Sequence, residues 1–239
     1  MEQNQFNPGQ FQQPQPQYQP QGFQTIPLPR YEVNGIWNFI ANMNFKTMSL
    51  IGTGIWLLFW VLSISTIFSS IVALSISGLK TAAIYALVSD AACIFVILLV
   101  CSKIVAYLKS NIIGILILVG AGLLLLSDII NLIQVAGLDI YNVSNYSNTV
   151  PSAIGFFGKA AIAVGLMMTI FTLKHFSLRV VVILFGITYI CYTLGVIIGL
   201  FEVIGFLIAI ATFIVLLIKV LGSAPIMDPY ALPGEPIQQ

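Results

Sequence analysis

Charge is what this sequence has least of. Only 7% of its 239 residues are Asp, Glu, Lys or Arg, against 59% hydrophobic, whereas soluble domains carry about 25% charged residues. So little charge cannot cover a surface facing water, and a soluble globular class is excluded. The nine Lys+Arg and eight Asp+Glu nearly cancel. That removes the basic excess on which nucleic-acid binding depends, and no nucleic-acid partner is expected. Histidine is reduced to His175, in the short segment LKHFSLR. A lone histidine excludes bis-histidine haem ligation within the chain. Neither a Walker A sequence nor an H-E-x-x-H pair is present. The three cysteines, Cys93, Cys101 and Cys191, all lie inside apolar runs. They read as small packing residues, with no disulfide framework or zinc spacing among them. Proline is missing from the interior of every long apolar run, since all eleven prolines fall in the two tails or at Pro151.

What fills the chain instead is a series of six apolar runs, approximately 49–79, 81–108, 111–137, 151–173, 178–200 and 203–221. Each exceeds the ~18–20 residues that cross a ~30 Å hydrocarbon core. In lipid, backbone polar groups must be satisfied within the segment, which leaves the α-helix as the spanning form. The predicted fold is therefore all-α, a polytopic bundle of six transmembrane helices. The last two runs are separated only by Phe201 and Glu202, which predicts a tight hairpin there.

Four regions follow. Residues 1–30 hold ten Gln and six Pro and are expected to be a disordered cytoplasmic tail. Its recurring Phe6, Phe11, Tyr18 and Phe23 make it a candidate ligand for a cytosolic protein partner. Residues 31–48 place Val33, Ile36, Trp37, Ile40 and Met43 at helical spacing. They predict a short interfacial amphipathic helix on the membrane surface. Residues 49–222 form the six-helix transmembrane domain. Residues 223–239, with Pro225, Pro229, Pro233 and Pro236, are expected to be a second disordered cytoplasmic tail. The N-terminus shows no basic n-region or cleavage site, so the first span is expected to act as its own insertion signal.

Lys and Arg near helix ends set orientation. Arg30, Lys46, Lys103, Lys109, Lys174, Arg179 and Lys219 fall on one side. Lys80 and Lys159 fall toward the other. This bias places both termini in the cytoplasm of a cell membrane. The segment 138–150 then faces outside, with acceptor patterns for N-glycosylation at Asn142 and Asn145.

The residues able to carry chemistry are few. Asp90 (LVSDAAC), Asp128 (LLSDIIN) and Lys159 each sit inside an apolar run. At 1.5 Å per residue, all three are expected about 12–14 Å below the outer surface. Ala83, Ala86 and Cys93 share a helical face with Asp90, Asn131 shares one with Asp128, and Ser152 and Gly155 share one with Lys159. Small residues let helices approach closely, so the charges are expected to point inward as one layer. Ser69, Ser70 and Tyr192 are expected near the same depth. Gly195 and Gly199 form a G-x-x-x-G packing pattern that fits an internal seam or a homo-oligomer contact. The two aspartates do not make a protease pair, because intramembrane aspartyl proteases need a glycine-rich motif around the second Asp, and here it reads LLSDIIN. No enzyme, cofactor or metal is expected.

Two functions fit this pattern beside the lipid bilayer itself. One is a non-enzymatic scaffold or assembly protein of a membrane. The alternative is a small transporter or channel for protons, cations or a small solute, using the Asp90/Asp128/Lys159 layer. A water-accessible cavity reaching Asp90 favours transport, and a closed, packed layer favours the scaffold. The charge bias also makes a direct prediction. A membrane-impermeant thiol reagent added to sealed cells should label Asn145→Cys and leave Gln10→Cys untouched, and labelling of Gln10→Cys would reverse the orientation.

Overall fold

A computed structural model describes residues 35–73, 76–105, 111–138, 149–172 and 178–222. Among them the regular structure is helical throughout: α1 (Ile36–Ala41), α2 (Phe45–Ala73), α3 (Ile76–Val105), α4 (Ile112–Ala136), α5 (Thr149–Thr172), α6 (Arg179–Gly195) and α7 (Leu200–Leu221). The two tails and the segment bearing Asn142 and Asn145 lie outside the described residues.

Polar side chains within the spans are largely satisfied by their own helix. The hydroxyls of Ser69, Thr169, Thr193 and Thr212 donate to the carbonyls of Ser65, Gly165, Tyr189 and Ile208, four residues back, at 2.7–2.9 Å. This back-bonding is how a hydroxyl is tolerated in an apolar medium.

Helices α2 to α7 pack in chain order as an antiparallel ring, each against the next, with α7 returning to α2. Partner residues show the sense of each pairing. Ser63 Oγ donates to Ala82 O and Ser89 Oγ to Trp56 O, both at 3.2 Å, so α2 and α3 run oppositely. Ser127 Oγ donates to Pro151 O at 2.7 Å, while Gly165 backs on Ile117 further along the same α4–α5 seam. The ring closes through aromatic faces. Trp56 stacks on Phe213 at 4.1 Å and Trp60 on Phe206 at 3.8 Å between centroids. This topology brings Lys46, Lys103, Arg179 and Lys219 to one end, called here the lysine-rich end. Toward that end the interior is dry and tightly packed, with Val96, Leu99, Ile117, Ile162, Leu166, Val181, Phe185 and Leu216 at 0–1% exposure.

Five helices, α2, α3, α4, α5 and α7, are long and apolar enough to cross a membrane, and α6, at 17 residues, is shorter. The expected fifth run continues to residue 200, but the helix stops at Gly195 and the chain turns over residues 196–199. Gly195 allows this early turn because Glu202 folds back onto it. A Cβ at position 195 would stand 2.9 Å from the Glu202 backbone nitrogen. Phe201 and Glu202, expected to form the hairpin turn, are instead in the first turn of α7.

The amphipathic helix expected over 31–48 also takes another form. Helix α1 covers Ile36–Ala41 alone, and α2 begins at Phe45, before the expected start of the first span. Thr47 N donates to Asn44 Oδ1 at 3.0 Å, an N-terminal cap that explains the early start. Helix α1 is tied into the bundle. Trp37 and Ile40 are buried, Trp37 packs on Gly114 of α4, and Lys103 Nζ donates to Ala41 O at 3.0 Å while standing 5.9 Å over the Phe45 ring.

The α4–α5 seam rests on missing Cβ atoms. A Cβ at Gly120 would lie 2.8 Å from Gly158 O and 2.9 Å from Ile162 N, both backbone atoms. At Gly122, two residues on, nothing lies within 4 Å. Gly120→Ala should therefore lower stability in detergent by about 1–3 kcal/mol, the usual cost of overpacking. Gly122→Ala should be neutral or better, and equal melting temperatures for the two variants would show that the seam is slack.

Candidate functional site

Four apolar helices each bring one charged side chain to a common level, and the ring topology turns these toward one space. Asp90 of α3, Asp128 of α4, Lys159 of α5 and Glu202 of α7 line a single cavity of about 370 Å³, with Ser127, Asn131, Pro151, Ser152, Gly155, Gly195, Val196 and Leu124. That volume matches roughly a dozen waters at ~30 Å³ each. Measured along each helix from the lysine-rich end at 1.5 Å per residue, Asp90, Asp128, Lys159 and Gly195 stand roughly 20–24 Å up, and Glu202 somewhat higher.

The unequal lengths of the helices make the space. Helices α6 and α7 meet at the level of the cavity, whereas α3, α4 and α5 continue beyond it by roughly 12–21 Å at the same rise. The cavity is therefore walled lower on the α6–α7 side than on the α3–α5 side. Nearer the lysine-rich end the interior is packed. Cys93 Sγ and Tyr189 OH meet at 3.8 Å across the bundle from α3 to α6, and the dry core lies beneath them. Asp90 is surrounded by protein yet exposed to a water-sized probe, because what it faces is the cavity.

The charges interact at a distance. Lys159 and Glu202 are within Coulombic reach of Asp90, and Asp90 and Lys159 are within reach of Asp128. Among the described residues Lys159 closes no salt bridge with either aspartate. Its Nζ stands 5.7 Å over the Tyr192 ring, in the range of a cation–π contact. Asp128 Oδ2 is buried with no hydrogen-bond partner, a costly state for a carboxyl oxygen at membrane depth. Ser127, by contrast, is engaged through its bond to Pro151 O.

The expected layer thus comes together in Asp90, Asp128, Lys159 and Asn131, with Tyr192 beneath the lysine. Ser69 and Ser70 lie elsewhere. The α2–α3 register sets Ser89 opposite Trp56, so these serines stand roughly 20 Å further along α2 at 1.5 Å per residue. Their hydroxyls bond to Ser65 O and Thr66 O of their own helix. Helix α3 begins at Ile76, so Lys80 lies within it rather than at a break between spans, which is why depth counted from the apolar run does not place them. Gly195 packs on Glu202 and lines the cavity, while Gly199 sits in the turn with nothing within 4 Å of a Cβ. Glu202 joins the site from the first turn of α7, where the sequence pattern predicts a connection. The signal was its neighbourhood, for LFEVIG offers no polar company to a carboxylate.

No protein-family model, no curated protein and no solved structure matches this chain.

A cavity that admits water predicts reactivity at its walls. In a background lacking the native cysteines, Asp90→Cys and Ser152→Cys should react with a small hydrophilic thiol reagent. Val96→Cys, in the dry core, should not. Equal protection of all three would mean that the layer is sealed.

Proposed function

We propose that the chain is a six-helix membrane protein, with both termini cytoplasmic, that binds and moves a proton or small cation through the Asp90/Asp128/Lys159/Glu202 cavity. The observation that carries this reading is the space of about 370 Å³ in contact with Asp90, bounded by three carboxyls and one ammonium. Ionisable groups inside a membrane are expensive, and structural glue would pair them and close the space. Here one carboxyl oxygen of Asp128 has no partner, and Lys159 leans on an aromatic ring instead of an acid.

The proposed mechanism follows from the shape. The wall is lower on the α6–α7 side and the interior nearer the lysine-rich end is packed, which supports a site open to one side. The excess of acid over base draws a cation into the low-dielectric cleft. Lys159 supplies the countercharge when the site is empty, standing by while a cation occupies the carboxyls. Passage to the other side requires the packed core below Tyr189 to part. Helix α6 takes part in the sixfold spanning arrangement by combining its 17 residues with the apolar turn that follows. Ile197 and Ile198 of that turn and Leu200 at the start of α7 are exposed, as suits residues meeting lipid rather than water. The reading is non-enzymatic and invokes no cofactor.

A scaffold role is favoured by one separate observation. Gly120, Gly158 and Gly165 bring α4 and α5 into a close, rigid seam, with no proline break inside the apolar runs. The deciding measurement is cation flux and pH change in proteoliposomes. Wild-type protein should dissipate an imposed gradient, and the double variant Asp90→Asn, Asp128→Asn should lose at least ~90% of the rate while melting within a few degrees of wild type. No flux from the folded wild type would leave the scaffold reading.

A further inference from the structure

Resting on the cation-site reading above, we propose that the cavity is built for a small primary ammonium of organic type, rather than for a bare metal ion. Three observations on the site point this way. First, the acids are spread around the walls. They come from α3, α4 and α7, and among the described residues no three His, Cys, Asp or Glu side chains converge closely enough to hold a metal ion. A dehydrated divalent cation needs several oxygens at about 2.0–2.6 Å, which this spacing does not supply. Second, the space of about 370 Å³ is larger than a proton or a single ion requires and falls within the size range of small-molecule sites. Leu124 and Val196 give part of its wall an apolar character suited to a short alkyl chain.

Third, the protein already displays the chemistry of the ligand. Lys159 is a four-carbon primary ammonium tethered at its other end. Its head rests 5.7 Å over the Tyr192 ring, within Coulombic reach of Asp90 and Asp128. An aromatic face attracts an ammonium head, and carboxylates nearby add charge-assisted hydrogen bonds. The Asp128 carboxyl lines the cavity and has one oxygen with no donor inside the protein, so it can accept one of the three N–H groups that a primary ammonium offers and that a quaternary ammonium lacks. Lys159 then acts as a resident competitor, holding the seat until a free ammonium displaces it. This assigns opposite roles to the two kinds of charged residue: the aspartates bind the ligand, and the lysine opposes it.

The test is equilibrium binding of n-butylammonium, which copies the Lys159 side chain, to the full chain in neutral-lipid nanodiscs, with tetramethylammonium, K⁺ and Mn²⁺ as comparators. Butylammonium should bind competitively and more tightly than the other three. Asp128→Asn should weaken it about tenfold or more, the scale of one charge-assisted hydrogen bond. Lys159→Met should tighten it by a similar factor, because the seat is vacated. That gain of affinity is not produced by a residue whose part is structural, and it keeps the test decisive if the aspartate variant folds poorly. Wild-type flux of protons or K⁺ without butylammonium binding would overturn this inference and leave the cation-site reading standing. Absence of both flux and binding would overturn the two together. Binding that is indifferent to Asp128→Asn and Lys159→Met would place the ammonium elsewhere and defeat the proposal. Tighter binding of Mn²⁺ would also defeat it.

Discussion

Every polar atom carried into lipid must find its partner inside the protein, and this requirement shapes the whole molecule. The backbone meets it by forming helices along most of the apolar runs. The hydroxyls of Thr169, Thr193 and Thr212 meet it by donating to the carbonyl one turn back. Ser63, Ser89 and Ser127 meet it across helix pairs, and in doing so fix the register of α2–α3 and α4–α5. Individually such bonds contribute only ~0.6 kcal/mol on average in a membrane. Their larger effect is to leave few polar groups over, so that those still unsatisfied stand out. Asp128 Oδ2, at the wall of the cavity, is one of these.

The same requirement explains why the cavity sits where it does. Helices α3, α4 and α5 are long enough to run past the charged level, and α6 is not. Its end at Gly195, with Glu202 packed onto the glycine, lowers one wall of the ring. The space beside Asp90 lies above the dry core formed by Val96, Ile162, Phe185 and their neighbours. The charged residues and the truncated hairpin therefore belong together. A full-length α6 would turn higher and leave Asp90, Asp128 and Lys159 in an enclosed interior.

Much of this was legible in the sequence. The scarcity of charge and the long proline-free runs indicate membrane helices. Helical spacing from Asp128 to Asn131 and from Lys159 to Ser152 and Gly155 indicates the faces that line the cavity. What was not legible depends on where helices turn. A continuous apolar run hides a turn such as 196–199, because in lipid the turn is as apolar as the helix, and counting from the end of the run then misjudges depth. This is why Ser69 and Ser70 do not stand at the depth expected for them, and why Glu202 lies in α7 and not in a connection. At the N-terminal side, the capping bond of Asn44 and the burial of Trp37 against Gly114 depend on contacts between α1, α3 and α4 that no local pattern encodes.

The aromatic closure between α2 and α7 has a consequence for how the protein is made. All other neighbours in the ring are adjacent in the chain, so each helix can settle against the one before it as soon as it enters the bilayer. The stacks of Trp56 on Phe213 and Trp60 on Phe206 join the first long helix to the last. Until α7 has been synthesised and inserted, the ring is an open curved row, the acid of α7 is missing, and Asp90 and Asp128 face lipid or water on one flank. Flat aromatic faces suit this final step, because they can slide into register without threading small-residue grooves. The cavity is thus a property of the completed chain alone, and a truncated product carries its charges with no site to hold.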